Sequence, residues 1–152
     1  MSLDLVVDDG VVIAAPLRAR LAREVARMVK ACARTDRRAD YEVAMRLCAD
    51  AAIHELNKAW RGKDAPTDVL AFAQREAATA DQGLLGDIVI SIDTAKRQAK
   101  RGLHGELLHL ASHGLCHLLG YDHRDDAEEQ AMNKRAAALR REAGRSGRVR
   151  AA

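Results

Sequence analysis

A chain of 152 residues, 48% hydrophobic and 31% charged, carries enough apolar material for one buried core, which excludes a disordered chain and predicts a single domain. A net charge of +3 permits an anionic partner without requiring one, and aromatics at 3% exclude base stacking as the main way of holding nucleic acid; contact with phosphates through arginine and lysine remains. Three cysteines without a C-x-x-C pair argue against a disulfide framework, while acids near the start and the lack of a long apolar run predict a cytoplasmic protein with no membrane contact.

Leu3 to Val7 and Val11 to Ile13 are β-branched runs split by Asp8, Asp9 and Gly10, and predict one strand with a turn or a small hairpin. Pro16 opens a helix to about Ala33, whose Leu17, Leu21, Val25, Met28, Val29 and Cys32 recur at helical spacing. Tyr41, Val43, Met45 and Leu47 alternate with Glu42, Ala44 and Arg46, the mark of a strand with one buried face. Asp50 is placed to cap a helix to Trp60, and Arg61 to Asp68 is a polar loop. Val69 to Phe72 and Asp87 to Ser91 are strand candidates on either side of a hydrophilic loop. A helix from Asp93 to Lys100 precedes a longer one from Leu103 to Leu119, and Asp125 or Asp126 caps a last helix to about Arg141. The reading is an α+β domain over residues 1–143, a sheet of three or four strands covered by helices, followed by a disordered basic tail over 144–152.

The chemistry concentrates in His113-Gly-Leu-Cys-His117-Leu-Leu-Gly120-Tyr-Asp-His123. His113 and His117, four apart, share a helix face. Gly120 can end that helix in the left-handed region and let His123 approach from outside it. Three neutral imidazoles suit one Zn²⁺ with an open position, and so predict a catalytic metal rather than a scaffolding one. The spacing matches the zinc-peptidase pattern H-E-x-x-H-x-x-G-x-x-H except that Gly114 replaces the glutamate, which removes the peptidase's general base. His104 and His109 are read as structural or surface residues, His54 has no partner at a useful spacing, and Cys116 is read as core because a thiolate would close the open position.

These residues, with Asn57-Lys-Ala-Trp-Arg61-Gly-Lys-Asp-Ala-Pro-Thr67-Asp68-Val-Leu-Ala-Phe72 and Leu85-Gly-Asp87-Ile-Val-Ile-Ser91, closely resemble the YbeY family of bacterial rRNA-maturation endoribonucleases. The resemblance spans most of the chain and departs from the family's usual residues at Ala71, Ala73 and Cys116. It implies a zincin-like domain with a mixed four-stranded sheet packed on a metal-binding histidine helix. It also implies one Zn²⁺ on His113, His117 and His123, with Arg61 and His113 at the catalytic centre. The implied reaction is endonucleolytic cleavage of single-stranded RNA in 16S rRNA 3′-end maturation and ribosome quality control. Partners would be the rRNA of the small subunit and ribosomal or ribosome-associated proteins. Asp122, Asp68 and Asp87 are the carboxylate candidates for a general base, unless a metal-bound hydroxide or the ribose 2′-hydroxyl makes one unnecessary. The competing readings are a zinc hydrolase of peptides or amides and an RNA-particle assembly factor that does not cut.

Overall fold

A computed structural model of the chain describes residues 3–74 and 83–145. In order it holds β1 (Leu3–Val7), α1 (Ala15–Thr35), β2 (Glu42–Cys48), α2 (Asp50–Arg61), β3 (Val69–Ala73), β4 (Leu84–Ser91), α3 (Ile92–Gln98), α4 (Leu103–Leu118) and α5 (Asp126–Arg145). The strands form one four-stranded mixed sheet in the order β1-β2-β4-β3. β1, β2 and β4 run parallel, and β3 lies antiparallel to β4 at the edge. The fold is α+β, as the interleaved periodicities predict.

The alternation in β2 sorts the two faces of the sheet. Val43, Met45 and Leu47 point into the main core. There they meet Ile88 and Ile90 of β4, Leu21, Val25 and Met28 of α1, Leu107, Leu115 and Leu118 of α4, and Met132 and Ala136 of α5. On the opposite face α2 covers a smaller cluster of Cys48, Ile53, Leu70 and Val89, with Leu56 and Phe72 packed against it. α4 and α2 therefore approach the sheet from opposite sides, and β3 is the edge strand between their ends.

Close approach of α4 to the sheet depends on two glycines, Gly86 of β4 and Gly114 of α4. A Cβ on Gly86, at φ +149, would stand 2.3 Å from the Phe72 carbonyl oxygen and 2.7 Å from Leu118 Cδ2. Backbone cannot yield there as a side-chain tip would. Gly86→Ala is accordingly expected to destabilise the chain by about 3 kcal/mol, combining overpacking with backbone strain. Urea unfolding measures this, and a loss below about 1 kcal/mol would mean that α4 and β3 separate easily.

Several expectations are corrected. Val11 to Ile13 is neither strand nor hairpin: Val11 N–H closes a turn onto Asp8 O at 3.1 Å, and β1 ends at Val7. Asp50 does not cap α2, since Ala49 holds the cap position. Its carboxylate instead accepts from Ser91 Oγ at 2.6 Å and Thr94 Oγ1 at 2.7 Å and pairs with Arg97 at 2.9 Å, tying α2 to α3. Of the two candidates for the last helix, Asp125 is the cap, accepting Glu128 N–H at 2.8 Å. α5 continues through Gly144 to Arg145, so the expected tail boundary falls inside a helix. The rest of that tail, 146–152, and the hydrophilic loop over 75–82 lie outside the described residues. Among the described residues no helix is long and apolar enough to cross a membrane.

Candidate active site

The histidine helix ends as its sequence predicts. Gly120 takes φ +104, and the last carbonyls of α4 are closed by Gly120 N–H to His117 O at 3.0 Å and Tyr121 N–H to Cys116 O at 3.0 Å. This pair of bonds is the Schellman arrangement, which requires a residue that tolerates the left-handed region. The reversal brings the Tyr121 carbonyl back to His117, whose Nδ1 donates to it at 3.1 Å. A carbonyl only accepts, so Nδ1 carries the proton and Nε2 keeps a free lone pair. His117 is thus held in the tautomer a metal ligand needs. Beyond the turn, the His123 ring stands 5.0 Å from that of His117, and the His123 backbone N–H donates to Asp122 Oδ1 at 2.8 Å.

His113 lies one turn earlier on α4, half-buried, with its ring packed edge-on against His109 at 4.3 Å. Burial, followed by the positive charges of His109, Arg140, His123 and His117, pushes its imidazole down to about 4. Burial and His123 also lower His117. Both rings are therefore neutral at physiological pH, the form that binds metal. Among the described residues no three His, Cys, Asp or Glu side chains stand close enough to hold an ion as they lie. His117 and His123 are adjacent, while His113 faces His109.

A His113 pKa depressed from 6.5 to about 4 has a stability consequence in metal-free protein. Between those values the unfolded chain binds the proton and the folded chain does not, so stability is present above pH 6.5 and declines as pH falls toward 4. Relative to His113→Asn, the parent chain should lose thermal stability steadily across that window. A flat difference between the two melting profiles would contradict the burial argument.

Arg61 reaches the same place from the other side of the sheet. Ser91 N–H to Asp68 O and Gln74 N–H to Leu85 O direct the even-numbered residues of this edge toward β4, leaving Ala71's backbone facing outward. Arg61 Nη2 donates to the Ala71 carbonyl at 2.7 Å, and its guanidinium lies over the Phe72 ring at 5.0 Å. α2 ends immediately after, at Gly62 with φ +70. The loop that follows is pinned by Lys63 N–H to Asn57 O at 3.2 Å and Asn57 Nδ2 to Ala65 O at 2.9 Å. A cleft of about 650 Å³ is lined by Arg61, Ala71, Phe72, His117, Tyr121 and Asp122, among others. Two elements on opposite faces of the sheet thus deliver a cation and a metal-competent imidazole to one surface.

The carboxylate candidates separate clearly. Asp122 lines this cleft. Asp68 is committed to the Val69 N–H at 2.8 Å and to Gln98 Nε2 at 3.1 Å. Asp87 is paired across the sheet with Ala44, on the face away from α4, and accepts from Gln74 at 3.3 Å. Cys116 is fully buried, and burial pushes its thiol up to about 12, so it is a core residue and not a ligand. His104 bonds the buried Glu24 and is structural. His54, expected to lack a partner, meets Asp64 at 2.7 Å across the loop after Arg61, a contact that spacing does not reveal. Phe72, the Ala71 carbonyl and the Tyr121 carbonyl contact the candidate site residues without being legible as such from sequence, the last two because backbone atoms carry no signature.

Gly114 explains the missing peptidase glutamate. A Cβ there would stand 2.9 Å from Ile88 Cγ2 and 3.2 Å from two further carbons of the same side chain. The position faces the sheet, and even a methyl group is crowded.

A model of the family described as Endoribonuclease YbeY matches residues 14–144. The chain belongs to the YbeY family. Among curated members, the Endoribonuclease YbeY of Synechococcus sp. (strain RCC307) is 55% identical over 65% of this chain and 66% of its own length. That of Anaeromyxobacter sp. (strain Fw109-5) is 47% identical over 72% of this chain and 58% of its own. That of Anaeromyxobacter dehalogenans is 42% identical over 91% of this chain and 69% of its own. Among solved structures, TM1509 from Thermotoga maritima superposes with a TM-score of 0.59 at 25% identity, covering 93% of this chain and 88% of that one.

Proposed function

We propose that this protein is a zinc-dependent, single-strand-specific endoribonuclease of zincin-like fold, acting in the cytoplasm in 16S rRNA 3′-end maturation and ribosome quality control alongside ribosomal proteins. The observation that carries the reading is that Arg61 and His117 line one cleft across the edge strand β3. Family membership supports RNA as the substrate, since the three curated relatives named above are called endoribonucleases. The donor set supports the metal: His117 is held with Nε2 free, His123 is its ring neighbour, and His113 is neutral one turn away. His113, His117 and His123 would hold the ion, and His123, exposed, has the freedom to swing toward it.

When bound, such an ion supplies charge neutralisation and an acidified water. The chain's own residues do the rest. Arg61 spends one N–H on Ala71 O and keeps others for non-bridging phosphate oxygens, where charge grows in the transition state. Phe72 beneath the guanidinium limits its swing. The Tyr121 carbonyl keeps His117 in one tautomer and one rotation. Asp122 is the carboxylate lining the cleft, available to take a proton from the attacking hydroxyl.

The peptidase alternative is disfavoured by Gly114, which supplies no carboxylate and where even a Cβ would press on the Ile88 side chain. Purified protein incubated with single-stranded RNA, duplex RNA and a generic peptide, each with and without chelator, tests the assignment. Cleavage of single-stranded RNA alone, lost on chelation and restored by Zn²⁺, is the expected result. Peptide hydrolysis would revive the alternative, and metal retention without any cleavage would favour a non-cutting assembly role.

A further inference from the structure

We propose that the cleft on the far side of the Gly120–Tyr121 turn is a second phosphate-binding site for the same RNA strand, with Arg37 as its cation. The inference rests on the RNA reading above and extends it to how far the substrate runs. Gly120 and Tyr121 line the Arg61–His117 cleft and also a neighbouring one of about 310 Å³, whose other walls are Asp36, Leu119 and Arg135. The turn is common to both clefts, so a strand that leaves the first across it would enter the second.

Asp36, the residue that caps α1, lines this second cleft, and Arg37 is the next residue along the chain. Arg38 N–H bonds Ala33 O at 2.8 Å and Arg37 N–H bonds Arg34 O at 3.1 Å, another Schellman closure, with Arg37 in the left-handed position at φ +58. It is the sole non-glycine with positive φ among the described residues. Glycine or asparagine satisfies such a position with less strain, and a bulky residue there costs about 1 kcal/mol or more. A cation near a helix C-terminus does gain from the dipole. That gain is already available to Arg34 in the last turn and gives no reason to put arginine at the strained position.

The surrounding charges leave Arg37 available. Arg34 is paired with Glu142 at 3.0 Å, and Arg38 lies over the Tyr41 ring at 5.8 Å. Arg37 is exposed and its side chain has no partner among the described residues. Arg135, in the wall, has a buried Nη2 with no hydrogen-bond partner. Asp36 is the opposing anion, but its Oδ2 accepts the Tyr41 hydroxyl at 2.6 Å. Backbone phosphate fits this balance, because it needs cations on a lip and no aromatic platform.

Arg37→Gly separates the two roles of the residue, because glycine keeps the left-handed conformation and removes only the charge. Binding of a short and a long 2′-O-methyl oligoribonucleotide, followed by fluorescence anisotropy across a salt series, is the measurement. The expected result is a loss of roughly 3–10-fold for the long strand, a salt slope shallower by about 0.7, and no change for the short strand. The melting temperature should not fall. Arg37→Asn, also compatible with the backbone, should behave alike. Unchanged affinity and slope for the long strand in both variants would overturn the proposal, as would equal losses for the short and long strands. A parent chain that binds neither strand would defeat the RNA reading itself, a different failure from the first two.

Discussion

Arg61→Ala should slow RNA cleavage by about 10²–10³-fold while leaving the fold intact. Arg61 is exposed, at the last position of a helix whose end is closed by Gly62 and the Asn57 bonds, none of which involve its guanidinium. The stability at stake is one bond to Ala71 O and the contact with Phe72, the latter worth about 0.5–1 kcal/mol at an exposed site. The catalytic stake is larger, because charge on the phosphate grows where the remaining N–H groups point. Lysine should recover little, since a single ammonium cannot bond Ala71 O and grip two phosphate oxygens together. Single-turnover rates on a saturating single-stranded RNA make the comparison. A variant within about 3-fold of the parent would remove Arg61 from the chemistry.

His117→Ala should abolish metal retention and lower cleavage by more than about 10³-fold. This imidazole is the best prepared of the three, with its tautomer fixed by Tyr121 O and its charge suppressed by burial. His109→Ala is the informative control. Its ring lies 4.3 Å from that of His113, so proximity alone would nominate it as a ligand, yet it stands outside the H-x-x-x-H-x-x-x-x-x-H spacing. Metal content after gel filtration should be near zero for His117→Ala and near parental for His109→Ala, with parental circular dichroism for both. The reverse ordering would redraw the ligand set.

Most of the architecture was legible because long periodic segments dominate it. The alternation in β2 and the helical spacing in α1 each point to one buried face, and those faces meet. The errors came from local signals whose meaning depends on distant partners. Val11 to Ile13 has strand composition but sits in the connection leading to α1, where no neighbouring strand pairs with it. Asp50 has capping chemistry, yet Ser91, Thr94 and Arg97, far along the chain, claim its oxygens. At the site, side chains were readable and backbone was not. Histidine spacing and Gly120 are written in the sequence, whereas the carbonyls of Tyr121 and Ala71 act only after α4 reverses and β3 takes the edge. At Ala71 the contact with Arg61 uses the main-chain oxygen, which every residue supplies, so it places no demand on the side chain at that position.

The most direct test of the account is X-ray absorption at the metal edge of the zinc-loaded protein. Three imidazole nitrogens and one light-atom scatterer, falling to two imidazoles in His123→Ala, is the predicted spectrum. A sulfur shell, or an imidazole count unmoved by losing His123, would contradict it.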